Sequence, residues 1–95
     1  MHYLYIVYSD STKKFYIGET NNIEERITKH QNHFYSNSFT KIADDWKIVL
    51  TFECTNKEEA IYLEKFIKRM KSKIFNNKII NDPSILEDIL SKRKS

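Results

Sequence analysis

The chain has 95 residues, of which 40% are hydrophobic, 14% aromatic and 31% charged, with a formal net charge of +3. This length predicts a single domain over residues 1–95, and the composition excludes a chain that is disordered throughout. The one cysteine, Cys54, excludes an internal disulfide and a multi-cysteine zinc site.

Two strands begin the chain and are joined by a short turn. Tyr3–Tyr8 is a run of β-branched and aromatic residues, and Phe15–Ile17 is a second, shorter run. The residues between them, Ser9–Lys14, are typical of turns, so the sequence predicts an antiparallel hairpin.

A helix is predicted next. It begins at an N-cap, either Asn21 or Asn22, with Glu24 or Glu25 as the capping-box partner, and continues to about residue 33. Residues 34–46 are mixed in character and carry loop signals. Trp46–Phe52 then reads as a third, buried strand, and the neighbouring Cys54 as a buried structural thiol rather than a reactive nucleophile.

Two helices are predicted in the remainder of the chain. Thr55 and Glu58 form a capping-box pattern that opens a helix to about Lys71. The apolar residues of this helix recur at helical spacing: Ala60, Leu63, Ile67 and Met70, with Ile74 as an extension. Asp82-Pro83 predicts the start of the last helix. The order β-β-α-β-α-α predicts an α+β domain with a small three-stranded antiparallel sheet flanked by helices.

The positive charge is concentrated at the C-terminal end. Residues 64–95 carry nine Lys or Arg and four acidic side chains, a net +5, whereas residues 1–63 carry −2. A basic region on a slightly acidic body suits a polyanionic partner, although many solvated helices share this pattern. No window has the roughly 20 apolar residues of a membrane span. We therefore expect a cytoplasmic protein with no membrane partner.

The hairpin contains two unusual features. Gly18 is the only glycine, and it follows the second strand directly, which indicates either a positive φ or the close approach of a ligand; an ordinary tight turn fits equally well. Tyr3 and Tyr5 share one face of their strand by the two-residue period. Cross-strand packing of aromatic residues is the alternative explanation for these tyrosines.

Four segments of the sequence resemble the GIY-YIG endonuclease family, and in particular its small stand-alone members. Tyr3-Leu4-Tyr5 and, after ten residues, Tyr16-Ile17-Gly18 are similar to the two half-motifs that name the family. The segments that follow them and are also similar are Thr20–Ile27 with His30, and Glu58–Ala60 with Glu64, Ile67 and Lys68.

The resemblance implies a role for each matching residue. The expected catalytic residues are Tyr5, Tyr16, Arg26, His30 and Glu64, with Glu64 as the ligand of Mg²⁺ or of another divalent cation such as Mn²⁺. The expected nucleic-acid-binding residues are Tyr3, Gly18 and Asn76 from the motif segments, together with Lys68, Arg69 and Lys71, which are chosen for the positive charge of their helix. In the excision-repair branch, which has an asparagine like Asn76, a lysine follows the second half-motif. This chain has Glu19 there, which argues against equating it with the repair nuclease.

Physical chemistry is compatible with these roles and also offers simpler ones. Arg26 and His30 are four residues apart and share a helix face, where a guanidinium can bind phosphate oxygens. Arg26 could instead pair with an acid such as Glu19, and His30 could be a surface residue. Glu64 lies at the edge of the apolar stripe, which suits a magnesium ligand, but it could also pair with Lys68 one turn later.

The expected activity is magnesium-dependent hydrolysis of phosphodiester bonds in DNA, with a structure-specific or single-stranded substrate. Tyr5 or Tyr16 would be the general base, although the ordinary tyrosine pKa of about 10 is high for that role. DNA repair is one setting among several. The alternatives are a non-catalytic nucleic-acid-binding module with the same fold and a subunit that directs a partner nuclease. We expect a monomer or a weak homodimer.

Overall fold

A computed structural model describes residues 1–25 and 45–93. Within these ranges it confirms the α+β class with a three-stranded antiparallel sheet. The strands and helices are β1 His2–Ser9, β2 Lys14–Thr20, β3 Trp46–Cys54, α1 Lys57–Met70, α2 Lys73–Asn81 and α3 Ser84–Arg93. Residues 23–25 are also helical, where the first helix is predicted to begin. The rest of that prediction lies outside the described residues.

The central strand of the sheet is β1. The strand order is β2-β1-β3, and both pairs are antiparallel. Ile6 lies between Ile17 of β2 and Leu50 of β3. Because side chains alternate along a strand, Leu4 and Ile6 lie on one face of the sheet and the motif tyrosines of β1 lie on the other.

The hydrophobic core lies between this sheet and the helices. Helix α1 packs against β1 and β2. The apolar stripe predicted for α1 is buried at Ala60, Leu63 and Ile67, each at most 1% exposed. Full burial of a side chain such as Leu63 contributes about 1.5–3 kcal/mol. These contacts fix the position of α1 relative to the hairpin.

The helix at residues 23–25, α1 and α2 each begin at a side-chain cap. Asn22 accepts a hydrogen bond from the Glu25 N–H at 3.0 Å. Of the two predicted N-caps for the helix that begins at residue 23, Asn22 is therefore the correct one, and Glu25 is the residue three positions after it. The predicted Thr55–Glu58 capping box is wrong by one residue. Asn56 is the cap and accepts from the Glu59 N–H, while the Glu59 carboxylate accepts from the Thr55 N–H, both at 2.9 Å.

Helix α2 is absent from the predicted order, so three helices rather than two follow β3 in the described chain. Lys71 takes a left-handed conformation, with φ 48°, and ends α1. Ser72 then caps α2 by accepting from the Phe75 N–H at 3.1 Å. This break moves Met70 and Ile74 away from the core, where they are 46% and 83% exposed. Their assignment to the buried stripe is therefore wrong.

The β1–β2 turn is held by a carboxylate from just before β3. Asp45 accepts hydrogen bonds from the Ser9 hydroxyl at 2.5 Å, the Ser11 N–H at 2.8 Å and the Ser11 hydroxyl at 2.9 Å. The Ser9 hydroxyl, followed by the Ser11 N–H, lowers the pKa of Asp45 to about 2 from its ordinary value of 3.8. The ionised carboxylate is therefore the form that stabilises the turn.

Replacing Asp45 with Asn should lower the thermal unfolding midpoint at pH 7. Because the folded pKa of Asp45 is depressed, its contribution is complete above pH 3.8 and is lost as the pH falls towards about 2. The difference between wild type and D45N should therefore close over that window in circular dichroism melts. Asp10→Asn is the control, since Asp10 makes only an exposed pair with Lys47 among the described residues. A D45N deficit that is constant down to pH 2 would contradict the assignment.

Cys54 is buried at the end of β3, as predicted. Its side chain is 2% exposed. Burial, and then the charge of Glu59, raises the pKa of its thiol to about 11. The thiol is therefore protonated and unreactive at neutral pH.

The helices in the described ranges do not include a candidate membrane span, because none combines the necessary length with the necessary apolar character.

Candidate active site

The first motif tyrosine packs on the glycine of the second motif. Tyr5 and Gly18 are directly opposite each other in the β1–β2 ladder. A Cβ atom added to Gly18 would lie 2.5 Å from the Tyr5 hydroxyl oxygen and 2.6 Å from its Cζ atom. The ring of Tyr5 therefore occupies the space that a side chain at position 18 would fill, and Tyr5 is only 1% exposed.

This contact corrects the interpretation of Gly18. The glycine lies within β2 and its φ is not positive. Among the described residues, the positive-φ positions are taken by Lys13 in the hairpin turn and Lys71 after α1. Close approach is thus the correct reason for the glycine, and the approaching group seen here is the Tyr5 ring.

The second motif tyrosine lies beside this pair. Tyr16 is opposite Val7, and it shares a face of β2 with Gly18, two residues along. Tyr5 and Tyr16 are therefore diagonal neighbours on one face of the hairpin. Tyr3 continues the same row opposite Thr20. Tyr16 is half-buried and lines a surface groove, so it is more accessible than Tyr5.

Tyr8 belongs to the alternative explanation for the hairpin tyrosines. It faces Phe15 across the hairpin, with ring centroids 4.7 Å apart. This is an aromatic cross-strand pair of the kind that stabilises sheets. Cross-strand packing therefore explains Tyr8, whereas the catalytic roles of Tyr5 and Tyr16 stay predictions.

A chain of contacts links Glu64 to Tyr16. The Glu64 carboxylate pairs with the Lys68 ammonium at 3.6 Å, one turn later on α1. That ammonium lies 6.0 Å from the centroid of the Tyr16 ring. The Lys68 pairing considered in the sequence is thus present, and it also places Glu64 on the side of α1 that faces β2.

The environment of Glu64 fits a magnesium ligand. Its side chain is 22% exposed, and its ion pair with the half-exposed Lys68 is long for a salt bridge. The described residues contain no group of three or more His, Cys, Asp or Glu side chains that could hold a metal ion. Mg²⁺ commonly keeps several waters and binds one or two carboxylates with the substrate phosphate. A single carboxylate that can exchange its lysine partner for a cation meets this need.

A groove of about 500 Å³ runs between β2 and the α1–α2 junction. Its lining residues are Lys14, Phe15, Tyr16, Ile17, Ile67, Lys68, Lys71, Ser72, Lys73 and Asn76. The lining contains four lysines and no acidic residue. Asn76 is 7% exposed, and its Oδ1 atom has no hydrogen-bond partner among the described residues. The groove is therefore a basic cleft with an aromatic wall and an unsatisfied amide.

The other predicted site residues have different surroundings. The Arg69 guanidinium lies over the Phe66 ring at 5.4 Å, and Arg69 is not among the groove residues. Glu19, the alternative partner considered for Arg26, is hydrogen-bonded to His2. Arg26 and His30 lie outside the described residues, so their positions stay predictions.

The structure adds groove residues that the sequence analysis missed. Lys14, Phe15 and Lys73 line the cleft with the predicted Lys68, Lys71 and Asn76. The signal available in the sequence was weak, because Lys14 and Lys73 are far apart along the chain. Only the packing of β2 against the α1–α2 junction brings them together.

The chain belongs to the GIY-YIG family of nucleases, since residues 1–79 match the GIY-YIG catalytic domain. Its structure is similar to the solution NMR structure of the UPF0213 protein BH0048 from Bacillus halodurans, with a TM-score of 0.53. The two are 26% identical over 84% of this chain and 82% of that chain. No curated protein matches this chain.

Proposed function

We propose that this protein is a magnesium-dependent endonuclease that hydrolyses phosphodiester bonds in DNA, with structured or single-stranded DNA as substrate. The contact chain from Glu64 through Lys68 to Tyr16 carries the proposal, because it links a carboxylate to the second motif tyrosine in a GIY-YIG domain. The basic groove beside Tyr16 supports a polyanionic substrate.

Each residue has a distinct role in the proposed reaction. Tyr16 would act as the general base in its deprotonated form, in which the phenolate accepts the proton of the attacking water, because it is the motif tyrosine that lines the groove. Tyr5 is buried against Gly18 and positions the neighbouring backbone of β2. Glu64 would hold the divalent cation, which supplies stabilisation of charge on the leaving oxygen when bound. Arg26 is proposed to stabilise charge on the phosphoryl group.

The two alternative functions predict different outcomes in one assay. The purified chain should nick single-stranded, flapped, nicked or duplex DNA when Mg²⁺ is added, and EDTA should stop the reaction. A non-catalytic module would bind these substrates without cutting any of them. A subunit that directs a partner nuclease would cut only after that partner is added. Absence of cleavage by the isolated chain on all four substrates, with either Mg²⁺ or Mn²⁺, would refute the proposal.

Removing the charges of the groove should flatten the salt dependence of binding. Each phosphate neutralised by a lysine contributes roughly −0.9 to the slope of log K against log salt on duplex DNA and roughly −0.7 on single strands. Replacing Lys14, Lys71 and Lys73 with Gln should therefore make the slope shallower by about 2–3, measured by fluorescence anisotropy.

The matched control removes the same charge elsewhere. Lys57, Lys65 and Lys78 are exposed and lie outside the groove lining. Their triple replacement with Gln should leave most of the slope in place. If the two triple variants lose equal slope, DNA responds to the net charge of the domain, and the groove is not its binding site.

A further inference from the structure

The side-chain oxygen of Asn76 is buried in the groove wall and has no hydrogen-bond partner among the described residues. Thr12 Oγ1 is the other buried side-chain oxygen of the described residues without a hydrogen bond, and Thr12 does not line the groove. Burying an unsatisfied polar atom costs about 1–3 kcal/mol. Buried polar atoms in native folds are nearly always hydrogen-bonded, so such an atom calls for a partner such as a water, an ion or a ligand.

The groove around Asn76 has two chemical characters. Its walls are apolar and aromatic, from Phe15, Tyr16 and Ile67, whereas lysine side chains stand around it. Nucleic-acid sites that bind unpaired strands combine the same elements, because bases stack on aromatic rings while the phosphates meet positive charge. A volume of about 500 Å³ lies within the usual range for small-ligand pockets.

We propose that this groove binds one unpaired base of the DNA strand and that Asn76 recognises its Watson–Crick edge. The inference rests on the proposed function and specifies its substrate as DNA with at least one unpaired nucleotide beside the cut. A carboxamide presents an acceptor and two donors, and rotation about its terminal bond exchanges them. Every unpaired base has an edge that can meet one of these orientations.

A phosphate ion or a backbone phosphate is a poorer occupant. A phosphate is strongly hydrated, and its charged oxygens gain nothing from contact with the apolar side chains of Phe15 and Ile67. A paired base is also excluded, since its Watson–Crick edge is already hydrogen-bonded within the duplex. Phosphates would instead lie at the lysines, on either side of the inserted base.

The test compares two single strands with the same phosphates. Binding of a deoxyuridine decamer and of a decamer of abasic sites is measured by fluorescence anisotropy in EDTA, so that no cleavage occurs. Wild type should bind the base-containing strand at least about fivefold more tightly, because stacking of one base is worth about 1 kcal/mol or more. Equal affinity for the two strands would show that only phosphates are recognised and would overturn the inference.

A pair of asparagine variants assigns the preference to the groove. Asn76→Leu should weaken binding of the deoxyuridine strand about fivefold or more and leave binding of the abasic strand unchanged. Asn77→Leu is the matched control, because Asn77 is exposed and lies outside this groove, and it should keep the full preference. A full preference retained by N76L would overturn the role of Asn76.

Two further measurements keep the result interpretable. Phe15→Leu removes an aromatic wall and should reduce the preference for the base-containing strand, which tests the groove even if N76L does not fold. Cleavage is measured separately with Mg²⁺ present. If the protein cuts DNA but binds both decamers equally, the base-binding inference is wrong and the proposed endonuclease function still holds. If it prefers the base-containing strand but does not cut DNA, the endonuclease proposal is wrong and base binding by the groove still holds.

Discussion

Replacing Gly18 with Ala should destabilise the protein by roughly 1–3 kcal/mol, the usual cost of forcing extra atoms into a packed region. The new Cβ would lie 2.5 Å from the Tyr5 hydroxyl oxygen and 2.6 and 3.0 Å from two carbon atoms of its ring. Because Tyr5 is 1% exposed, its ring cannot simply turn into solvent. In a domain of this size a loss of 2 kcal/mol lowers the unfolding midpoint by about 10 °C, which urea and thermal unfolding can measure.

A second substitution isolates the cause of that loss. Leucine at position 5 lacks all three Tyr5 atoms that the new Cβ would approach. In a Tyr5→Leu background, Gly18→Ala should therefore lower the free energy of unfolding by less than about 0.5 kcal/mol. The difference between the two backgrounds is the coupling energy of the Tyr5–Gly18 contact. If G18A costs the same in both, the glycine is required for some reason other than the Tyr5 ring.

The same contact explains why DNA cleavage should fall in G18A. The displaced Tyr5 ring would disturb β2 at the position two residues from Tyr16. A misplacement of about 1 Å can reduce catalysis on the order of 100-fold. Cleavage by G18A should therefore be reduced at temperatures where the variant is still folded.

The sheet and helix α1 could be predicted because their patterns are local. Runs of β-branched and aromatic residues mark β1 and β3, and the spacing of Ala60, Leu63 and Ile67 marks the buried face of α1. The start of α1 was misplaced by one residue because Thr55 and Asn56 are both good caps and Glu58 and Glu59 both follow at the right distance.

Helix α2 was missed because its own pattern is short. It has nine residues, and only Asn76 and Ile79 are buried. Its position depends on the left-handed Lys71, an arrangement that composition does not predict, since glycine is the usual residue there. Because the helix break at Lys71 could not be predicted, Met70 and Ile74 were assigned to a continuation of the apolar stripe of α1.

The candidate site divides in the same way. The motif residues could be named from the sequence because their spacing is distinctive, and the structure brings Tyr16, Lys68 and Glu64 together. The groove could not be predicted from the sequence, because its walls come from residues 14–17 and 67–76, which meet only in the folded chain. The reason for Gly18 likewise needs the cross-strand register that places it opposite Tyr5.

Glu64 is well placed to test the metal proposal without disturbing the fold. Its side chain is partly exposed at the edge of α1, where it pairs with the Lys68 ammonium. Exposed ion pairs contribute at most about 1 kcal/mol to stability. Glutamine has nearly the same shape and keeps a neutral oxygen, but it removes the negative charge that a hard cation requires.

Glu64→Gln should therefore lower the rate of Mg²⁺-supported DNA cleavage by at least about 100-fold, since a catalytic metal contributes several kcal/mol to the transition state. Single-turnover rates measure this loss, while anisotropy in EDTA and thermal unfolding should change little. Glu58→Gln is the matched control, because Glu58 is an exposed carboxylate on the same helix, and it should cleave at the wild-type rate. Undiminished cleavage by E64Q would place the metal on another carboxylate. An equal loss in E64Q and E58Q would mean that the charge of α1, rather than a metal ligand, controls the rate.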